Sequence, residues 1–105
     1  MQDFFALPRY PFTAAAVAHA PEEGGIYGLF QSGELIYLGA ASGRPGEGIR
    51  DFLGRHLGGA HGECTRSAMQ YTWEISIYWA TREMEVLAEF RKRHRGRPRC
   101  QLDAA

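Results

Sequence analysis

The sequence predicts one small domain of the α/β (α+β) class, a three-stranded sheet flanked by helices. Three observations carry this expectation. The chain has 105 residues, 45% apolar and 23% charged, which suits a single globular core and argues against disorder. Three segments, 26–31, 34–38 and 71–79, are rich in aliphatic, aromatic and β-branched residues and read as strands. Segments 49–57 and 81–95 carry apolar residues at helical spacing. The resulting order is helix, strand, strand, helix, strand, helix, with the helices packed on the sheet.

Each element follows from its residues. Residues 1–12 hold Phe4, Phe5, Leu7, Tyr10 and Phe12 and read as an aromatic arm laid on the body. Thr13 is placed to cap a short Ala-rich helix over 14–20, which Pro21 ends. Strands 26–31 and 34–38 surround Ser32-Gly33, a hairpin signal. Residues 39–48 form a loop with four glycines and a proline, lacking the lysine and spacing of a phosphate-binding P-loop. In 49–57, Ile49, Phe52, Leu53, His56 and Leu57 make one helical stripe, and Gly58-Gly59 stops it. Residues 60–70 are polar and carry no clear period. Thr81 is expected to cap the last helix, which Gly96 and Pro98 close.

Charge and cysteine usage bound the function. Twelve basic and twelve acidic residues cancel, so net charge does not announce a nucleic-acid partner. Arg91, Lys92, Arg93, Arg95, Arg97 and Arg99 nevertheless place half of the basic residues in the last fifteen positions. Such a patch binds phosphate even on a neutral chain, and Arg91, Arg93, Arg95 and Arg97 are the candidate nucleic-acid contacts; the same run also suits a solvated helix face. No apolar stretch approaches the ~20 residues of a membrane span, and the first residues lack a basic leader. Cys64 and Cys100 are far apart and form no C-x-x-C. Reduced thiols in a cytoplasmic setting are therefore expected. His61, Cys64, His94 and Cys100 match no familiar zinc spacing.

Gly25-Ile26-Tyr27 is followed by Ile36-Tyr37-Leu38-Gly39, whose tyrosine comes ten positions after the first. A helix bearing Arg and His, a strand, a Glu-bearing helix and Pro98 come after. This order resembles the GIY-YIG nuclease family, from Gly25 to about Gln101, roughly three quarters of the chain. The resemblance implies a metal-dependent endonuclease cutting nucleic acid, most simply DNA. In it Tyr27 helps activate a water, Tyr37 sits beside it, an arginine steadies the phosphate and a glutamate holds one Mg²⁺ or Mn²⁺. A hard cation takes a carboxylate plus waters and phosphate oxygens, and polarises the phosphate. A tyrosine, with a pKa of about 10, needs a nearby cation to act as a base near neutrality. Such domains are commonly fused to a targeting domain, so a partner protein is one expected source of specificity.

The hairpin register bears on this reading. A plain two-residue loop pairs Tyr27 with Leu38 and sends the two tyrosines to opposite faces. A three-residue loop over 32–34, or a bulge, pairs Tyr27 with Gly39 and puts both on one face, with open space at Gly39. The nuclease reading requires the second arrangement; otherwise both are ordinary strand tyrosines.

On the last helix, Glu83 shares a face with Val86, Leu87, Phe90 and His94, whereas Glu85 and Glu89 point away. A carboxylate on a packed face is costly unless paired or metal-bound, so Glu83 is the candidate ligand. A first-turn acid that complements the helix dipole is the plainer reading of it. The arginine is less clear. The family places it four residues before the helix histidine, and that position is Phe52. Arg50 and Arg55 are the alternatives. Gln101 stands where the family has asparagine, and its extra methylene is expected to lengthen or lose a backbone bond. His56 either assists the phosphate or packs in the helix stripe. Beside the nuclease stand two further readings: a module of this fold that binds nucleic acid without cutting, and an interaction domain docking through its aromatic arm.

Overall fold

The computed structural model describes residues 3–101. Residues 1 and 2 of the arm, and 102–105, lie outside the described residues. A 3₁₀ turn at Phe4–Ala6 leads to strand β1 (Tyr10–Pro11) and helix α1 (Ala14–Val17). Then come β2 (Gly25–Gln31), β3 (Glu34–Ala41), α2 (Ile49–Leu57), α3 (Glu63–Arg66), β4 (Gln70–Ile75) and α4 (Trp79–Arg93).

The sheet is antiparallel and has four strands, in the order β1-β4-β2-β3, rather than the three expected. The extra strand comes from the arm, where Tyr10 pairs with Tyr71 and Pro11 with Gln70. Proline lacks an N–H, so this short strand can only serve as an edge. Of the arm's aromatics, Phe4 and Phe12 lie in the core, Phe5 is half-buried and Tyr10 is exposed.

Two helix boundaries differ from the reading. β4 stops at Ile75, because the Ser76 hydroxyl accepts from the Tyr78 N–H and turns the chain. Tyr78 and Trp79, aromatic enough to pass for strand, instead form the N-cap and first residue of α4, and Thr81 lies inside it rather than capping it. Thr13 does cap α1, accepting from the Ala16 N–H at 3.2 Å, but α1 is only one turn long. α2 spans the expected residues, and the ambiguous polar segment supplies α3.

Alternation along the buried central strand β2 builds two cores. Ile26 and Phe30 face Val86 and Phe90 of α4, with Leu35, Leu38 and Phe4. Tyr27 and Leu29 face Val17 of α1 and Ile49 and Leu53 of α2, with Ile36 and Tyr71. The sheet is thus covered on both faces.

The hairpin resolves the register question. Ser32 and Gly33 both have positive φ, the two-residue turn that matches strand twist, and Gln31 pairs with Glu34. Between Leu29 and Phe30 the register shifts, because Phe30 pairs with Leu35 and Leu29 with Tyr37, leaving Ile36 as the extra residue of a bulge. The longer loop does not form; the bulge alone pairs Tyr27 with Gly39.

Candidate functional site

The bulge sets the site. It turns Tyr37 onto the face that carries Tyr27, and their ring centroids lie 6.2 Å apart. Gly39 is required by this packing: a Cβ there would come 2.3 Å from the Tyr27 ring and hydroxyl. α2 closes over the pair. Phe52 stacks on Tyr27 at 6.2 Å with 16° between the planes, and His56 lies 5.6 Å from Tyr27 and 4.8 Å from Tyr37.

The Tyr27 hydroxyl hydrogen-bonds His56 Nε2 at 2.9 Å, with His56 fully buried and Tyr27 2% exposed. His56 Nδ1 is buried with no partner. Burial, and then the neighbouring His61, push the His56 imidazole down to about 4, so the ring is neutral at physiological pH. His61 stacks on it at 4.3 Å. The sequence left His56 between core packing and function; it lies in the core, where it touches Tyr27.

Burial is the first cause that raises Tyr27 above the usual phenol range, followed by the adjacent Tyr37 and the charge of Glu83. Arg55 acts in the opposite sense. Tyr37 is half-buried and is also raised, first by burial and then by Glu83, while its neighbour Tyr27 lowers it. Tyr37 is the phenol nearer solvent.

Glu83 sits in the first turns of α4, half-buried. Burial raises its carboxyl, and among the described residues it has no hydrogen bond or ion pair. Its neighbour Arg82 takes the structural ion pairs instead, gripping Glu74 with two bonds of 2.6 and 2.8 Å and reaching Glu85 at 2.9 Å. Among the described residues no group of three His, Cys, Asp or Glu surrounds a metal position. A metal here would rest on one carboxylate, which is how Mg²⁺ is often held, with waters and phosphate oxygens completing the shell. A half-buried carboxylate with no ion pair among the described residues, whose charge acts on both phenols, suits that donor set.

The two arginines separate. Arg50 is committed elsewhere, its Nε donating to the Ala20 carbonyl at 2.7 Å and its Nη1 pairing with Glu22 at 2.6 Å. Arg55 lies over the face of Phe52 at 4.6 Å, donates to the Gly46 carbonyl, and acts on Tyr27. The structure brings Arg55, not Arg50, to the tyrosines. This long reach, one turn past the expected position, is not legible from spacing.

Gln101 corrects an expectation. Its Oε1 accepts from the Leu38 N–H and its Nε2 donates to the Leu38 carbonyl, both at 3.0 Å. The longer side chain keeps the backbone bond because the C-terminal segment lies beside the edge strand β3, where Cys100 N–H donates to the Ile36 carbonyl. A second correction concerns the thiols: Cys64 and Cys100 form a disulfide, with Cα atoms 5.6 Å apart. They are neither reduced nor available to zinc. The sequence could not foresee this, because 36 positions separate the two and only folding joins them.

The basic patch is exposed but partly engaged. Arg93 lies over the Phe5 ring at 4.7 Å and pairs with Glu89 at 3.4 Å, one helical turn before it. Arg91, Arg95 and Arg97 are exposed at and beyond the end of α4. No helix among the described residues is long and apolar enough to cross a membrane. Comparison of the chain with protein-family models, with curated proteins and with solved structures finds no match.

Proposed function

We propose that the chain is a GIY-YIG-type endonuclease that hydrolyses nucleic-acid phosphodiester bonds with one divalent metal. The observation that carries this reading is the Ile36 bulge, which brings Tyr27 and Tyr37 to one face against His56. An unspecialised hairpin has no need of a bulge there, whereas a two-tyrosine site does.

In this reading Tyr37 is the phenol that meets the attacking water, because Tyr27 is sealed inside. Tyr37, as its phenolate, takes the water's proton and later passes it on, Tyr27 packs beside it, and His56 fixes the Tyr27 hydroxyl. Arg55 faces the phosphate charge. Glu83 holds Mg²⁺ or Mn²⁺, which when bound offsets the negative charge that raises both phenols and polarises the phosphate. The water oxygen bonds to phosphorus, one P–O ester bond breaks, and the water's proton reaches the leaving oxygen. Arg91, Arg95 and Arg97 extend the phosphate-binding surface, with DNA the expected partner.

A second reading has one specific support. Phe52 occupies the family's arginine position and stacks on Tyr27, so the fold is equally suited to holding nucleic acid without cutting it. Incubating the pure protein with plasmid, branched and single-stranded DNA, in Mg²⁺, in Mn²⁺ and in chelator, separates the two. Metal-dependent nicking supports the nuclease. Salt-sensitive binding with no cleavage on any substrate supports the binding module.

A further inference from the structure

We propose that the Cys64–Cys100 disulfide is a redox clasp: closed, it holds the wall of the site beside Tyr37; opened by a dithiol, it frees that wall while the sheet stays folded. Its effect on cleavage rests on the nuclease reading, but the opening itself does not.

Among the described residues no direct hydrogen bond or ion pair joins the two segments that the bond links. Cys64 is exposed and lies on α3, a single turn preceded by Gly59 and Gly62, both with positive φ. A turn this short does not sustain itself. Cys100 is 4% exposed. Its N–H bonds the Ile36 carbonyl at 2.8 Å, and the adjacent Gln101 amide brackets the Leu38 backbone. Ile36 and Leu38 flank Tyr37, so the C-terminal segment braces the bulge from outside. From the other side the α3 segment brings His61 onto His56.

Tyr37, Ala60, His61, Thr65, Cys100 and Gln101 consequently line one recess of about 380 Å³. The disulfide ties the α3 half of its outer wall to the Cys100 half, which the bonds to Ile36 and Leu38 also hold. The core on the far face, with Ile26, Phe30, Leu38, Val86 and Phe90, contains neither cysteine, so the fold has support that reduction leaves intact.

The chemistry balances with a dithiol as reductant. One of its thiolates attacks the exposed Cys64 Sγ, the S–S bond breaks, and Cys100 leaves as a thiolate that takes a proton. The second thiol of the reductant then displaces Cys64. Two electrons pass to the protein, and the reductant closes to its own disulfide.

Amide hydrogen exchange on the full chain, oxidised and then reduced with dithiothreitol, tests this, with Cys64→Ser alongside and free thiols counted in each state. The clasp predicts no free thiol in the oxidised chain. On reduction, and in Cys64→Ser, the Leu38 and Cys100 amides should exchange about tenfold faster or more, while those of Ile26 and Leu29 keep their protection. Two free thiols after treatment with oxidised dithiothreitol would overturn the proposal. So would unchanged exchange at Leu38 and Cys100, or acceleration spreading to Ile26 and Leu29, which would make the bond a strut of the whole fold. Cleavage measured in both states separates the two claims. If the amides respond but neither state cuts, the clasp stands and the nuclease reading fails; cleavage undiminished by reduction sinks the regulatory part.

Discussion

The Tyr27 hydroxyl lies 2.9 Å from Nε2 of His56, and both side chains are inside the core. Neither group has water to replace its partner. Tyr27→Phe should therefore leave Nε2 unsatisfied as well as Nδ1 and cost about 1–3 kcal/mol, read from urea unfolding. A change under about 0.3 kcal/mol would show that the bond contributes nothing to the fold.

The His56 imidazole predicts a pH dependence. Its folded pKa, about 4, lies below the ordinary value of 6.5. The unfolded chain thus binds the proton more tightly, and folding is favoured most when the ring is neutral in both states. That stability is fully present above about pH 6.5 and is lost as pH falls toward 4, by roughly 2–3 kcal/mol. Urea unfolding from pH 7 to 4 should show this loss in the wild type and less of it in His56→Gln. Parallel curves would place the titration elsewhere.

Gly39 tests the packing of the tyrosines. Gly39→Ala would set a methyl group 2.3 Å from the Tyr27 ring, in a buried place between backbone and aromatic neighbours. Destabilisation of about 1–3 kcal/mol is expected, with altered near-ultraviolet dichroism as the ring shifts. A neutral substitution with an unchanged spectrum would mean that the ring lies elsewhere.

Arg82 and Glu83 adjoin on α4 and should separate stability from function. Glu74 is 8% exposed and Arg82 grips it, with Glu74 the first cause that holds the guanidinium well above its ordinary range. Arg82→Ala strands a buried carboxylate and should cost about 3 kcal/mol. Glu83→Gln, which removes a charge with no ion-pair partner among the described residues, should leave stability within about 0.5 kcal/mol. It should also lower the pKa of Tyr37 in ultraviolet titration, since the Glu83 charge raises it. The reverse ranking in thermal unfolding would exchange their roles.

How much of this was legible in the sequence depended on range. α2 and the hairpin turn were readable because their signals are local: an apolar stripe with glycines after it, and Ser32-Gly33 between strands. The shared face of Tyr27 and Tyr37 was readable only as a condition, since a bulge leaves no mark in composition. β1 was missed because two residues, one of them proline, carry no strand period. The disulfide, the Gln101 bracket on Leu38 and the approach of Arg55 over Phe52 all join chain segments by side-chain reach. No periodicity encodes these.

The central claim, that this fold cuts phosphodiester bonds through Glu83 and the tyrosine pair, is tested most directly by single-turnover cleavage. Wild type, Glu83→Ala and Tyr37→Phe are compared on plasmid and branched DNA in Mn²⁺. The account predicts cutting by the wild type, a loss of about a hundredfold or more in each variant, and folded proteins throughout. Cleavage that survives Glu83→Ala at the wild-type rate, or a wild type that binds DNA and never cuts it, would contradict the account.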